Sequence, residues 1–188
     1  MDEPKIDIWL TIGKWVFRGF LVLLVAGIAL AACAVNAGKV APDATADAIV
    51  VHPRSGQVGL DHADELALRG TSDTIVLLGG GTDKWPESSI ECGRTYPALV
   101  VCVPFDQDNT LGQVKALNPA ATEQSWDSLV VVSTDYHVRR AAATHRRCGY
   151  QSVEPSGVED SIPIREFLKL ATIEVVAFPQ SFFALCGE

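Results

Sequence analysis

The sequence predicts an α/β fold: a Rossmann-like, doubly wound, mainly parallel sheet of about five strands. Three observations carry that reading. Short, near-continuous apolar runs rich in β-branched residues recur at Ala48–Val51, Thr74–Leu78, Ala98–Val103 and Leu129–Val132, the pattern of strands covered on both faces. Segments with helical periodicity separate them, and strand–helix alternation with right-handed crossovers builds a doubly wound layer. The runs end in polar or glycine-rich sequence, where such a fold keeps its ligands.

The elements follow in order after a linker with Pro42, Lys39–Ala46. Ala48–Val51 is the first strand, ending in the turn-forming His52-Pro53-Arg54-Ser55-Gly56. Leu60–Arg69 places Leu60, Ala63, Leu66 and Ala67 on one helix face and stops at Gly70. Thr74–Leu78 runs into Gly79-Gly80-Gly81, followed by a short helix near Glu87–Thr95. Ala98–Val103 exits through Asp106–Thr110 into a helix over Leu111–Leu117, and Asn118–Asp127 reads as polar connection. Leu129–Val132 leads through Ser133 and Thr134 into a helix that stops at Gly149. Tyr150–Val153 is a fifth strand, Ile164–Val176 a last helix and Phe178–Leu185 an apolar tail.

With 188 residues the chain holds one such domain and a short extra segment. Its mean hydropathy of +0.20 owes much to the N-terminus, where Phe20–Gly38 carries no charge. Counted from Trp15, that run is long enough to span a bilayer. Lys5, Lys14 and Arg18 precede it and only Lys39 follows closely, which sets the N-terminus inside and the domain outside. Residues 1–38 are thus expected to be a membrane anchor or signal segment and 39–188 the α/β domain. Leu30-Ala31-Ala32-Cys33 also fits a lipoprotein signal, lipidated at Cys33, although apolar residues continue to Ala37. The uncleaved anchor is the expectation and the lipoprotein its alternative.

The net charge is −8, and residues 39–188 hold 12 Lys and Arg against 20 Asp and Glu. Such an acidic domain does not suit nucleic acid, because nothing offsets repulsion from phosphates.

The richest stretch is Leu129–Arg140. His137 and Arg140 lie three apart, on one helix face, close to a helix N-terminus with its unpaired N–H groups and partial positive charge. Strand end, hydroxyls, imidazole and guanidinium make an anion-binding corner. The topology brings Arg54, the Gly79–Gly81 loop, and Asn109 with Thr110 to the same edge. Arg140, Arg54, Gly79, Gly80, Gly81, Asn109, Thr110, Ser133 and Thr134 are the candidate ligand-binding residues, with His137 and Glu87 as candidate acid/base groups. Each has a structural alternative: the glycines as a turn, Asp108-Asn109-Thr110 as a helix cap, Glu87 as an exposed helix carboxylate. The glycines match neither dinucleotide nor P-loop pattern, the histidines lack zinc-ligand spacing, and no cofactor or metal is predicted.

Four cysteines follow Cys33, and in an oxidising exterior they allow two disulfides in three pairings. Cys92–Cys102 and Cys148–Cys186 are expected. The first closes a short helix-to-strand loop; the second pins the tail to the end of the fourth helix.

Val132-Ser133-Thr134-Asp135-Tyr136-His137-Val138-Arg139-Arg140-Ala141 resembles the closing motif of the YdcF/SanA/ElyC family of bacterial envelope domains. Gly79-Gly80-Gly81, Asp108-Asn109-Thr110 and the Arg165-Glu166-Phe167 turn resemble further parts of its pattern, the last in members of SanA type with one N-terminal membrane helix. The resemblance spans Ala48–Val176. It departs at His52-Pro53-Arg54, where the family has Leu-Gly, and in a shortened segment before Asn109 that carries Glu87. It implies a Rossmann-like fold and a role in envelope integrity or in cell-wall precursor or lipid-carrier metabolism, without supplying a reaction.

The expectation is a single-pass protein of the bacterial cytoplasmic membrane whose outward domain binds a small phosphate-bearing ligand. Arg140 clamps the anion, and His137 hydrogen-bonds it or serves as acid/base. If the protein is an enzyme, its substrate is a phosphorylated cell-wall or lipid-linked intermediate. The rivals are a non-catalytic envelope interaction module and a nucleotide- or S-adenosylmethionine-binding domain.

Overall fold

The structure is a computed structural model. It describes residues 5–35, 44–85 and 91–159, and 163, 165–166, 169–170, 172–174, 177 and 186 beyond them. Five parallel strands form one sheet in the order β3-β2-β1-β4-β5. They are β1 (Ala48–Val51), β2 (Thr74–Leu78), β3 (Leu99–Val103), β4 (Ser128–Thr134) and β5 (Ser152–Val158). Pairing runs in plain register, with Val50 beside Val76 on one side and Val131 on the other.

Among the described residues four helices run without a break: α1 (Lys5–Val35), α2 (Gly56–Leu68), α3 (Thr110–Gln124) and α4 (Asp135–Arg147). The chain moves from β1 to β2 in one direction along the sheet and from β3 to β4 to β5 in the other. Right-handed crossovers therefore put α2 on one face and α3 and α4 on the other. Two cores result. Ile49, Val51, Ile75, Leu77, Val130 and Val132 meet α2 through Leu60, Ala63 and Leu66. Ala48, Val50, Val76, Leu129 and Val131 meet α3 through Val114 and Leu117, and α4 through Val138, Ala141 and Ala142.

The strand order reverses between β1 and β4. At that switch point neighbouring connections leave on opposite faces, and a crevice opens beyond the carboxyl ends. His52, after β1, and α4, after β4, lie on its two sides.

Three elements run longer than their local sequence suggests. α2 begins at Gly56 rather than Leu60, because Pro53–Ser55 form a 3-10 turn that feeds it directly. α3 continues through Asn118–Gln124, across Pro119. Val114, Leu117 and Ala121 keep one buried stripe through this point, while Pro119 faces solvent, where a lost backbone bond costs less. β5 is Ser152–Val158 rather than Tyr150–Val153, and it accepts Pro155 because it lies at the sheet edge. Of the helix expected at Glu87–Thr95, residues 87–90 lie outside the described residues, and Glu91–Gly93 form a turn. Helical residues occur at 165–166, 169–170, 172–174 and 177, within the expected last helix or just past its end. The tail Phe178–Leu185 lies outside the described residues.

Both expected disulfides form: Cys92–Cys102 with Cα atoms 5.5 Å apart and Cys148–Cys186 with 5.1 Å. α1 is a 31-residue helix whose described side chains are exposed, among them Trp15, Phe17, Phe20 and Leu23. Among the described residues no helix is long and apolar enough to cross a membrane.

Candidate functional site

β1 alternates its side chains, so Ala48, Val50 and then His52 point to the face covered by α3 and α4. On α4, His137, Ala141 and His145 recur every fourth residue and share a buried stripe. These two periodicities bring three imidazoles together inside the protein. The His52 ring centroid lies 5.8 Å from that of His137 and 5.4 Å from that of His145.

Their hydrogen bonds set the tautomers of the inner pair. His52 Nδ1 is 2.9 Å from Gln113 Oε1, and the amide oxygen accepts, so Nδ1 carries the hydrogen. His52 Nε2 is then an acceptor, and His145 Nε2–H donates to it across 3.2 Å. His145 Nδ1 is left as a buried lone pair with no partner among the described residues, a cost of about 1–3 kcal/mol. Burial holds all three imidazoles neutral. It drives His145 down to about 3, takes His52 well below its ordinary value, and lowers His137.

Arg140 is fixed from two sides. Nε and Nη2 both donate to the buried Glu174 carboxylate, the second at 2.9 Å, and Nη1 donates to Thr110 Oγ1 at 2.8 Å. Glu174 Oε1 also lies 3.2 Å from His137 Nδ1. Burial alone would raise the Glu174 pKa; hydrogen bonds from Arg140 and His137, and their charges, bring it to about 2 instead. The carboxylate is thus ionised and its partners hold it so. Arg140 uses three of its five N–H donors in these bonds, and the second hydrogen of Nη2 faces His137 Nδ1 at 3.1 Å, which leaves one N–H on Nη1 for a ligand.

In front of these groups lies a cleft of about 400 Å³, lined by His52, Pro53, Arg54, Lys84, Asp108, Asn109, Thr110, Gln113, His137 and Arg140. α3 and α4 both present N-termini here, since Thr110 begins one and His137 is the third residue of the other. The Asn109 side chain caps α3, accepting from Gly112 N at 2.8 Å. Arg54 is exposed and makes no ion pair with a described residue. Lys84 pairs with Asp108 at 2.7 Å across the rim. Among the described residues, three cations therefore line the cleft against one carboxylate, in a chain of net charge −8.

Of the residues singled out from sequence, Arg54, Asn109, Thr110, His137 and Arg140 meet in this cleft. Ser133 and Thr134 are buried beneath it, each hydroxyl without a hydrogen-bond partner among the described residues, and neither lines it. Strand alternation points Ser133 to the α3/α4 face and Thr134 to the α2 face. Gly79, Gly80 and Gly81 do not line it either. Gly79 N donates to Val103 O at 2.6 Å and Gly80 N to Leu77 O at 3.1 Å, so those amides are spent on the backbone. The need for glycine is steric: a Cβ at Gly80 would stand 2.5 Å from Cys102 Sγ, and one at Gly79 would stand 2.8 Å from the Phe105 ring. Glu87 lies outside the described residues. Among the described residues no group of His, Cys, Asp or Glu is arranged to hold a metal ion.

Glu174, Gln113, His145 and Lys84 were not singled out from the sequence. Glu174 had a signal, a lone carboxylate between Ile173 and Val175-Val176. His145 had one in its four-residue spacing from Ala141 and His137. Gln113 and Lys84 had none, because only the packing of α3 and of the loop after β2 brings them here.

No family model, curated protein or solved structure matches the chain.

Proposed function

We propose that the chain is a membrane-tethered, outward-facing domain that binds a phosphate-bearing ligand in the cleft between His52, Asn109 and Arg140. Its role lies in cell-envelope integrity, in cell-wall precursor or lipid-carrier metabolism, as the resemblance to the YdcF/SanA/ElyC pattern implies. One observation carries the binding reading. An acidic protein gathers Arg54, Lys84 and Arg140 around a single cleft, opposed there by one carboxylate among the described residues, at the N-termini of two helices. The tether is supported by the uncharged stretch Phe20–Gly38 and by the exposed apolar side chains of α1. Two disulfides suit an oxidising exterior.

Because Arg140 is tied to a buried carboxylate, its removal disturbs the fold as well as the cleft; Arg54 is the cleaner probe. Calorimetric titration of the full chain in detergent micelles with inorganic phosphate and pyrophosphate is the test. Binding should weaken about tenfold in Arg54→Ala, the loss of one charge-assisted contact, with the melting temperature unchanged. Wild-type protein that binds neither anion would refute the reading.

A further inference from the structure

Resting on the phosphate-cleft reading, we propose that Glu174 is a positioning residue that makes His137 the general base of the cleft for hydrolysis of a phosphate ester.

Three imidazoles gather here, but His52 has both ring nitrogens occupied, Nδ1 by Gln113 and Nε2 by His145. His145 keeps a bare nitrogen but does not line the cleft. His137 lines it, and its described contacts all fall on Nδ1, leaving Nε2 without a protein partner among the described residues.

Glu174 decides what that free nitrogen can do. Its ionised carboxylate only accepts hydrogen bonds, and Oε1 stands 3.2 Å from His137 Nδ1. A lone pair on Nδ1 would face that negative oxygen, so Nδ1 carries the hydrogen. Arg140 Nη2 stands 3.1 Å from the same nitrogen and gives one of its two hydrogens to Glu174 Oε1 at 2.9 Å; the other competes with Glu174 for Nδ1, and the buried carboxylate prevails. His137 Nε2 therefore bears a lone pair, in a neutral ring able to accept a proton. Glu174 is 4% exposed and does not line the cleft, so it holds Arg140 and His137 from behind rather than competing with a ligand.

A phosphate ester sits with its non-bridging oxygens on the spare Arg140 Nη1 N–H and on Arg54. A water molecule attacks phosphorus: its oxygen forms the new P–O bond and its proton passes to His137 Nε2. The bridging P–O bond breaks, and the leaving alkoxide takes up the proton that His137 holds. The products are an alcohol and phosphate.

The test uses the full chain in micelles. Long-range nitrogen–proton correlation on histidine-labelled protein, assigned against His137→Gln, reads the tautomer directly. The expected spectrum shows Nδ1 protonated and Nε2 bare. Turnover of para-nitrophenyl phosphate is the second readout. Its kcat should fall about 100-fold or more in His137→Ala and at least about tenfold in Glu174→Gln, with KM nearly unchanged. Glu174→Asp should restore part of kcat. If Glu174→Gln does not fold, the wild-type spectrum still decides. A hydrogen on Nε2, or no turnover by a wild-type protein that binds phosphate, overturns this proposal and leaves the anion cleft standing. A wild-type protein that binds no phosphate overturns both.

Discussion

α3 and α4 each touch two clefts, one at either end, and the clefts are nearly equal in size. The one at the carboxyl ends of the strands is about 400 Å³; the one at the opposite end is about 440 Å³, lined by Asn118, Thr122, Ser125, Trp126, Asp127, Cys148, Gly149 and Tyr150 among others. Their chemistry differs in sign. The first receives two helix N-termini and three cations. The second receives the helix C-termini, capped by Ser125 and Cys148, and among its described lining residues the one that is charged is Asp127. Helix dipoles thus favour an anion at one end and oppose it at the other. Cavity volume does not separate the two clefts; helix direction and the charges placed along it do.

The largest expected difference is in response to acid. The three buried imidazoles have folded pKa values below the 6.5 of an ordinary histidine, His145 at about 3. The unfolded chain therefore takes up protons first. Stability is fully present above about pH 6.5 and is lost as pH falls toward the folded values. Each imidazole steepens that loss by up to about 1.4 kcal/mol per pH unit. Glu174, held at about 2, adds to it only below about pH 4.5, where an unfolded carboxyl begins to protonate. Urea unfolding at pH 7, 6 and 5 should show the slope, and His145→Phe should flatten it by about one proton's worth. Tyr150→Phe in the other cleft should leave it unchanged, since burial pushes the Tyr150 hydroxyl up to about 12. Equal slopes in all three proteins would break the contrast.

A smaller effect is expected at the α3 N-terminus. Asn109→Ala removes the bond to Gly112 N and should cost about 1 kcal/mol in denaturant unfolding. It should also weaken phosphate binding, because the cap holds the helix end that faces the cleft. Loss of stability without loss of affinity would separate the cap from the site.

The smallest is a null result by design. Thr122→Arg places a cation beside the second cleft, where the C-terminal carbonyls of α3 oppose an anion. No phosphate binding should appear there in calorimetry of a protein also carrying Arg54→Ala. New affinity would show that a cation alone suffices and that helix direction matters little.

Local patterning carried most of the fold. Four of the five strands were legible almost to the residue, because a strand buried on both faces must be apolar throughout, as Ala48–Val51 and Thr74–Leu78 are. α3 was cut short at Asn118, since the stripe through Ala121 is visible only once its sheet partner is known. β5 was displaced because Pro155 and Gly157 read as turn residues until the strand is seen to lie on an edge. Both cysteine pairs were legible from spacing and the expected order of elements. Arg54, Asn109, Thr110, His137 and Arg140 were legible as a set because parallel strands deliver their exits to one edge.

By itself, then, the sequence determined the alternating elements, the edge where polar residues collect and the pairs of cysteines, since each follows from periodicity or from order along the chain. The tertiary structure alone decided which of those polar groups face outward with spare hydrogen-bonding capacity. It buried Ser133 and Thr134, spent the amides of Gly79 and Gly80 on the backbone, and joined His52 to His145. It also set Glu174, 34 residues beyond Arg140, behind that guanidinium. Such pairings depend on distances between elements remote in sequence, and no local pattern encodes them.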